Sequence, residues 1–153
     1  MDALNDLAGV MLTPLRIVEG ESGRVLHALR SDKPGFAGFG EAYFSTVAHG
    51  AVKGWKKHRD MVLNLVVPMG SIRFCLFDER GLGDNGGVRW SKVDLGVENY
   101  QRLTVPEGVW VAFRGLGPGE NWLLNVASVP HEPNEAEALP LDDAKFSMVD
   151  LRT

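Results

Sequence analysis

The stretch MVLNLVVPMGSIRFCLFD, residues 61–78, holds two apolar runs on either side of a short turn. Runs of Val, Leu, Ile and Phe of this length, bounded by Pro and Gly, are typical of β-strands. Pro68 presets its own φ, and Gly70 accommodates a positive φ at no steric cost. We therefore predict that residues 61–67 and 71–78 are two strands joined as a hairpin.

Short apolar segments recur along the rest of the chain, separated by many of its 18 glycines and 8 prolines. This pattern is typical of an all-β sandwich or barrel. Helix is scarce: the apolar spacing after Asp2 predicts one helical turn near residues 2–12, with Asp2 as its cap. The predicted strands are residues 24–30, 41–48, 61–67, 71–78, 88–95, 99–105, 109–114 and 121–129, and the glycine-rich segment 78–88 is a predicted exposed loop.

Length and composition bound the class of protein. A chain of 153 residues, 44% hydrophobic and 24% charged, predicts one domain over 1–153, with an N-terminal segment at 1–12 and an extended, acidic segment at 130–153. The net charge of -4 argues against nucleic acid as a partner, and the apolar runs are too short to predict a membrane span. Residues 1–12 lack the features of a signal peptide, and a single cysteine, Cys75, fits a reducing cytoplasm.

Four segments of the chain follow the pattern of one known family, in order and at the right separations. They are TPLRIVEGESGRVLHALRS (13–31), GEAYFSTVAHGAVKGWKKH (40–58), MGSIRFCLFDERG (69–81) and VPEGVWVAFRGLGPGENWLLNV (105–126). The chain thus resembles the dTDP-4-dehydrorhamnose 3,5-epimerase family, and is most similar to its shorter members. The resemblance implies an all-β cupin jelly roll (a double-stranded β-helix), a nucleotide-sugar ligand, no cofactor and a homodimer. It also implies epimerisation of an NDP-4-keto-6-deoxyhexose, in which a base removes the proton alpha to the ketone.

The proton-transfer positions that the resemblance implies are only partly kept. The family's base histidine falls on Lys56, whereas the histidine two residues later is retained as His58. The family's acid tyrosine falls in residues 125–131, where there is no tyrosine and His131 is the nearest ionisable residue. Tyr43 is then the best remaining phenol. We expect no counterpart to the carboxylate that partners the family's base, because the C-terminal stretch that carries it is missing.

The same resemblance implies a set of ligand contacts. Lys53 takes the place of the loop's usual arginine, and Arg24 and Arg30 lie near Ser22, which replaces a phosphate-binding arginine. Glu41 lies on the strand that carries polar substrate contacts in the family. Trp55 and Trp110 are candidates for stacking on the base or the sugar of the ligand. The expected substrate-binding set is Arg24, Arg30, Glu41, Lys53, Trp55, Trp110 and His131.

Elementary chemistry favours the segment around residues 52–59 as the reactive one. Removal of a proton alpha to a ketone requires a base with a pKa near neutrality and a donor for the enolate oxygen. If residues 52–58 are extended, Lys56 and His58 lie on one face, so that both are candidate proton-transfer groups together with Tyr43. Metal-binding cupins present a His-x-His pair and a later histidine. Lys56 and Val111 occupy two of those positions here, which argues against a metal site.

Two other interpretations stay open. The chain could be a non-catalytic cupin that binds a sugar nucleotide or a similar anion, which predicts stabilisation by ligand without isotope exchange. It could instead be a scaffold protein with a vestigial pocket, which predicts no response to ligand. His27 is interpreted as a core or pocket-wall histidine and Cys75 as a structural thiol, since each lies within an apolar strand pattern.

Overall fold

The computed structural model describes residues 1–81 and 87–153. The strands in these residues are β1 (Met11–Pro14), β2 (Ile17–Gly20), β3 (Gly23–Leu26), β4 (Glu41–Ala48), β5 (Val52–His58), β6 (Leu63–Met69), β7 (Ser71–Asp78), β8 (Arg89–Gly96), β9 (Gln101–Val105), β10 (Trp110–Gly115), β11 (Glu120–Ala127) and β12 (Ala136–Ala138). The first sheet has the order β1-β9-β6-β11-β4 and the second the order β12-β5-β10-β7-β8, whereas β2 and β3 form a separate hairpin. Adjacent strands pair antiparallel. The predicted all-β architecture is confirmed.

The two sheets pack face to face over an apolar core. Leu65 and Leu103 of the first sheet and Phe74 of the second belong to one buried cluster. Because successive side chains of a strand point to opposite faces, the neighbours of these residues point away from that core. Burial of this apolar surface is the main favourable contribution to folding.

The outward face of the second sheet carries a second apolar cluster, which is covered by the C-terminal segment. Phe146, in the 3₁₀ turn Ala144–Phe146, stacks on Trp55 with ring centroids 4.3 Å apart. It also makes edge-on contacts with Phe77 at 5.0 Å and Trp110 at 5.4 Å. The segment predicted to be extended over residues 130–153 is therefore a packed part of the domain, and it adds the short edge strand β12 to β5.

The turn at Gly70 has a different role from the one predicted. Strands β6 and β7 are each paired with other strands and belong to different sheets, so the hairpin prediction is wrong. Each strand has a paired neighbour on both sides within its own sheet, and the turn carries the chain across the sandwich. Gly70 has a φ of 79°, and a Cβ there would come within 2.3 Å of the Asn121 side-chain oxygen, so both conformation and space require glycine.

Further differences from prediction concern the ends of the chain. The helical segment predicted for residues 2–12 is a single 3₁₀ turn, Leu4–Asp6, and β1 starts at Met11. Asp2 does not cap it, because its carboxylate accepts a hydrogen bond from the Trp90 backbone N–H at 3.0 Å. The predicted strand 24–30 ends at Leu26. Strands β1, β2, β5 and β12 were not predicted, since they are short or highly charged.

Two remaining observations concern the chain as a whole. Part of the predicted loop 78–88, namely residues 82–86, lies outside the described residues. Within residues 1–81 and 87–153, no helix has both the length and the apolar character that crossing a membrane would require.

Candidate functional site

A pocket of about 270 Å³ opens between the inner faces of the two sheets. Its floor is apolar and includes Leu63, Leu65 and Leu123, and its polar rim comes from both sheets. A concave apolar site with a few converging polar groups is the usual form of a small-molecule site. This pocket is therefore the candidate functional site.

Strand β5 supplies the ionisable wall of the pocket. Lys56 and His58 both line it, together with Lys53 at the start of the strand. The two-residue period of a strand places Lys56 and His58 on this wall and turns Trp55 to the opposite face. Lys53 reaches the same wall because the pairing of β5 with β10 shifts register between Lys53 and Lys56. The structure thus brings together three of the residues singled out from the sequence, on a strand that was not among the predicted ones.

His58 is paired with a carboxylate that sequence reasoning did not identify. The Glu135 Oε2 atom lies 2.6 Å from His58 Nδ1, and both side chains are largely buried. Glu135 immediately precedes β12, in which Ala136 pairs with His58 across the strands. With Nδ1 occupied by Glu135, Nε2 is the ring nitrogen that remains for a ligand in the pocket.

The second oxygen of Glu135 fixes the main chain that follows His58. Glu135 Oε1 accepts hydrogen bonds from the N–H groups of Arg59 and Asp60, each at 3.1 Å, and of Met61 at 2.9 Å. Burial raises the pKa of the Glu135 carboxyl, but the hydrogen bonds from His58 and from the Met61 and Asp60 backbone outweigh that effect. The net pKa lies below its ordinary value, so this carboxylate is ionised at neutral pH.

The two lysines of the pocket differ in their surroundings. Lys53 Nζ donates to the Thr46 carbonyl at 2.6 Å and to Ser45 Oγ at 3.2 Å. Lys56 makes no side-chain hydrogen bond or ion pair with any residue of the described ranges, although it lines the pocket. An ammonium group without a protein partner is available to an anion or a developing negative charge.

The opposite wall of the pocket carries Tyr43 and Asn125. The Asn125 Nδ2 group donates to the Tyr43 hydroxyl at 3.0 Å. Asn125 Oδ1 is buried and has no hydrogen-bond partner among the residues described. Because an unsatisfied buried acceptor is costly, Asn125 is suited to receive a hydrogen bond from a bound hydroxyl.

The other residues singled out from the sequence lie outside the pocket lining. Trp55 and Trp110 are buried in the second apolar cluster with Phe146, on the far face of the second sheet. This placement follows from alternation, since inward-facing Lys56 and His58 turn Trp55 outward. The expectation that these tryptophans line the pocket does not agree with the geometry.

The predicted phosphate contacts and the rim residues are dispersed. Arg24 pairs with Glu19 at 3.6 Å on the β2–β3 hairpin, and Arg30 forms a two-point contact with Asp32. The Glu41 carboxylate accepts the backbone N–H of His131 at 2.9 Å beside the C-terminal segment. The structure does not bring these residues together with Lys56 and His58.

Metal ligands are not grouped in this site. In residues 1–81 and 87–153, no set of three or more His, Cys, Asp or Glu side chains is arranged to hold a metal ion. The pair formed by His58 and Glu135 is completed by lysine and amide groups rather than by further ligands.

Comparison with solved structures relates this fold and pocket to known proteins. A dTDP sugar isomerase from Desulfovibrio desulfuricans is 38% identical to the chain over 96% of both chains, with a TM-score of 0.86. The chain belongs to the dTDP-4-dehydrorhamnose 3,5-epimerase family. The predicted cupin jelly roll is thereby confirmed. No family model matches the sequence, and no curated protein matches it.

More distant family members share the fold at low sequence identity. NovW, a 4-keto-6-deoxy sugar epimerase from Streptomyces spheroides, is 17% identical, with a TM-score of 0.83 over 96% of this chain and 76% of that one. A dTDP-4-dehydrorhamnose 3,5-epimerase from Elizabethkingia anophelis is 15% identical, with a TM-score of 0.77 over 96% and 83% of the chains.

Sequence reasoning missed Glu135, Asn125 and Ser45. Glu135 lies in the acidic segment PNEAEAL, which has no motif that singles out one carboxylate. Its role depends on the pairing of β12 with β5, a contact between residues 77 positions apart. Asn125 could have been found from the family position of the acid, since it lies at the start of the region 125–131.

Proposed function

We propose that the chain binds a nucleotide-activated 4-keto-6-deoxyhexose in this pocket and epimerises it alpha to the ketone, by proton transfer through His58. The observation that carries the proposal is the pair formed by His58 and Glu135 at the pocket wall. Family membership supports the substrate class, because the relative with 38% identity is a dTDP sugar isomerase.

The pair supports His58 as a base. An ionised Glu135 accepts a hydrogen bond from the Nδ1–H group of His58, so the ring proton stays on Nδ1 and Nε2 keeps a free lone pair. This neutral tautomer is the state of the imidazole that can remove a proton from carbon. Once His58 is protonated, the adjacent carboxylate stabilises the imidazolium. Glu135 thus holds the imidazole in one tautomer and one orientation, a function it performs without contacting the substrate.

The negative charge that develops on the ketone oxygen needs a donor. Lys56 Nζ has no protein partner in the described residues and lies on the same face as His58. We assign it to the enolate oxygen, where an ammonium group in an apolar pocket stabilises the transition state. Return of a proton to the opposite face of the carbon requires a second group. Tyr43, on the opposite wall, is the candidate, and Lys53 is assigned to the diphosphate.

Product analysis with dTDP-4-keto-6-deoxyglucose tests the proposal and separates the three interpretations. Formation of an epimer, detected by NMR, supports the enzyme. Binding measured by calorimetry without a new product supports a non-catalytic receptor, and absence of binding supports a vestigial pocket. The same spectra detect migration of the ketone, a reaction that an isomerase could reach through the same enolate.

A homodimer and a cytoplasmic location are further parts of this proposal. Strand β4 forms an edge of the first sheet and exposes Phe44, and the preceding Phe39 is exposed as well. An uncovered edge with large apolar side chains suits pairing with a second copy. Light scattering on the eluting protein should give twice the chain mass, and the chain mass alone would remove the dimer from the proposal.

A further inference from the structure

A second cavity, of about 430 Å³, lies outside the sandwich and separate from the pocket. It is enclosed by the end of β1, the connection from β1 to β2 and the segment 27–33, which crosses the outer face of the first sheet. Arg102 of β9 forms part of its base, because Leu103 faces the core and the neighbouring side chain must face outward.

The lining of this cavity is strongly cationic. Arg16, Lys33 and Arg102 contribute positive charge, and His27 adds an imidazole. Arg30 also lines the cavity, but its charge is balanced by Asp32. Among the described residues that form the lining, none is acidic. This concentration contrasts with the net charge of -4 of the whole chain.

The guanidinium of Arg102 forms no ion pair with any residue that the structure describes. The residue is 1% exposed, and its guanidinium donates to Asn64 Oδ1 and to the carbonyls of Ala28 and Pro34, which are all neutral acceptors. These contacts use three of the five N–H groups of an arginine. Burial lowers the pKa of Arg102, yet an arginine stays charged at neutral pH. A buried charge without an opposite charge is costly, so an anion in the cavity would stabilise it.

We propose that this second cavity binds the phosphate group of a small phosphate monoester. A dianionic phosphate matches the charge of Arg16, Lys33 and Arg102, and guanidinium groups match its oxygens with paired hydrogen bonds. The cavity is larger than one ion requires, which leaves room for the organic part of the ester. The site is separate from the sandwich pocket and does not depend on the function proposed for it.

Titration of ¹⁵N-labelled protein with inorganic phosphate and with phenyl phosphate tests the proposal. We expect saturable shifts of the backbone amides of residues 27–33 and of Arg16, with tighter binding of the ester. Phenyl sulfate, which carries a single charge on the same three terminal oxygens, should bind at least about tenfold more weakly, because its lower charge weakens each ion pair and charge-assisted hydrogen bond.

Two double variants locate the binding. Arg16→Ala with Lys33→Ala removes two exposed side chains, and the main-chain carbonyl of Arg16 can still accept the His27 N–H, so we expect normal folding and at least about tenfold weaker phosphate binding. Lys53→Ala with Lys56→Ala changes only the sandwich pocket and should leave the cavity shifts unchanged. The proposal is overturned if phosphate shifts no cavity amides, if the first double variant binds as well as the parent, or if the shifts follow the second variant.

Discussion

Replacement of Glu135 by alanine should lower the free energy of unfolding by about 2–6 kcal/mol through the loss of its backbone contacts alone. The Met61 N–H is buried and loses its acceptor, which alone costs about 1–3 kcal/mol. Arg59 and Asp60 are exposed, so water replaces the carboxylate at their N–H groups and each loss is about 0.5–1.5 kcal/mol. The contact with His58 is lost as well.

Glu135→Gln is the matched comparison. Its amide oxygen can still accept the three backbone N–H groups, so the free energy of unfolding should fall by only about 1–2 kcal/mol. The amide nitrogen, however, donates to His58 Nδ1 and moves the ring proton to Nε2, where it blocks proton removal from a ligand. We therefore expect this variant to fold well and to lose most of its activity.

Urea unfolding followed by tryptophan fluorescence, at one fixed protein concentration, measures these differences. The midpoints should fall in the order parent, Glu135→Gln, Glu135→Ala, with similar slopes. A cost below about 1 kcal/mol for alanine, or equal costs for both variants, would refute the role given to the Oε1 contacts.

Three further predictions concern pH, the C-terminal segment and the cysteine. The folded protein holds the pKa of Glu135 below its ordinary value of 4.5, so the unfolded chain takes up this proton first as pH falls. The stability advantage of the parent over Glu135→Gln should thus be complete above about pH 5 and shrink as the pH falls below 4.5, and a constant difference in urea midpoints would contradict this. Phe146→Ala should cost about 3–5 kcal/mol, whereas Met148→Ala, at a residue of the same segment that is 51% exposed, should cost about 0.5 kcal/mol or less; equal costs would exclude the packing described for the C-terminal segment. Burial raises the pKa of the Cys75 thiol to about 11, so a thiol reagent at mildly alkaline pH should modify it only after unfolding, and rapid modification of the folded protein would be inconsistent with that burial.

The strands that could be predicted most directly were those with continuous apolar patterns, such as 61–67 and 71–78, because their burial leaves a direct trace in residue type. Strand β5 could not be recognised in this way, since its inward residues Lys56 and His58 serve the pocket rather than the core. Which strands pair with one another was harder to predict than where the strands lie. Local turn residues at Pro68 and Gly70 indicate a reversal of the chain, but they do not determine whether the second strand stays in the same sheet.

In the candidate site too, the residues that share a strand could be grouped from the sequence, whereas the contacts between distant segments could not. The alternation of side chains along β5 grouped Lys56 with His58, and both residues line the pocket. The same alternation turns Trp55 to the opposite face, although Trp55 was expected in the pocket. Glu135 could not be found from local sequence, because its contact with His58 depends on a short edge strand near the end of the chain. The C-terminal segment, from which no carboxylate partner was expected, supplies Glu135, which pairs with His58 rather than with Lys56.

Deuterium uptake is the most direct test of the proposed proton transfer through His58. The protein is incubated with dTDP-4-keto-6-deoxyglucose in D₂O, and deuterium at the carbons next to the ketone is followed by mass spectrometry. We expect uptake by the parent and by His131→Asn, a matched change at an exposed histidine outside the pocket, and loss of at least about a hundredfold in rate for His58→Asn. Undiminished uptake by His58→Asn, or none by the parent despite binding, would contradict the account.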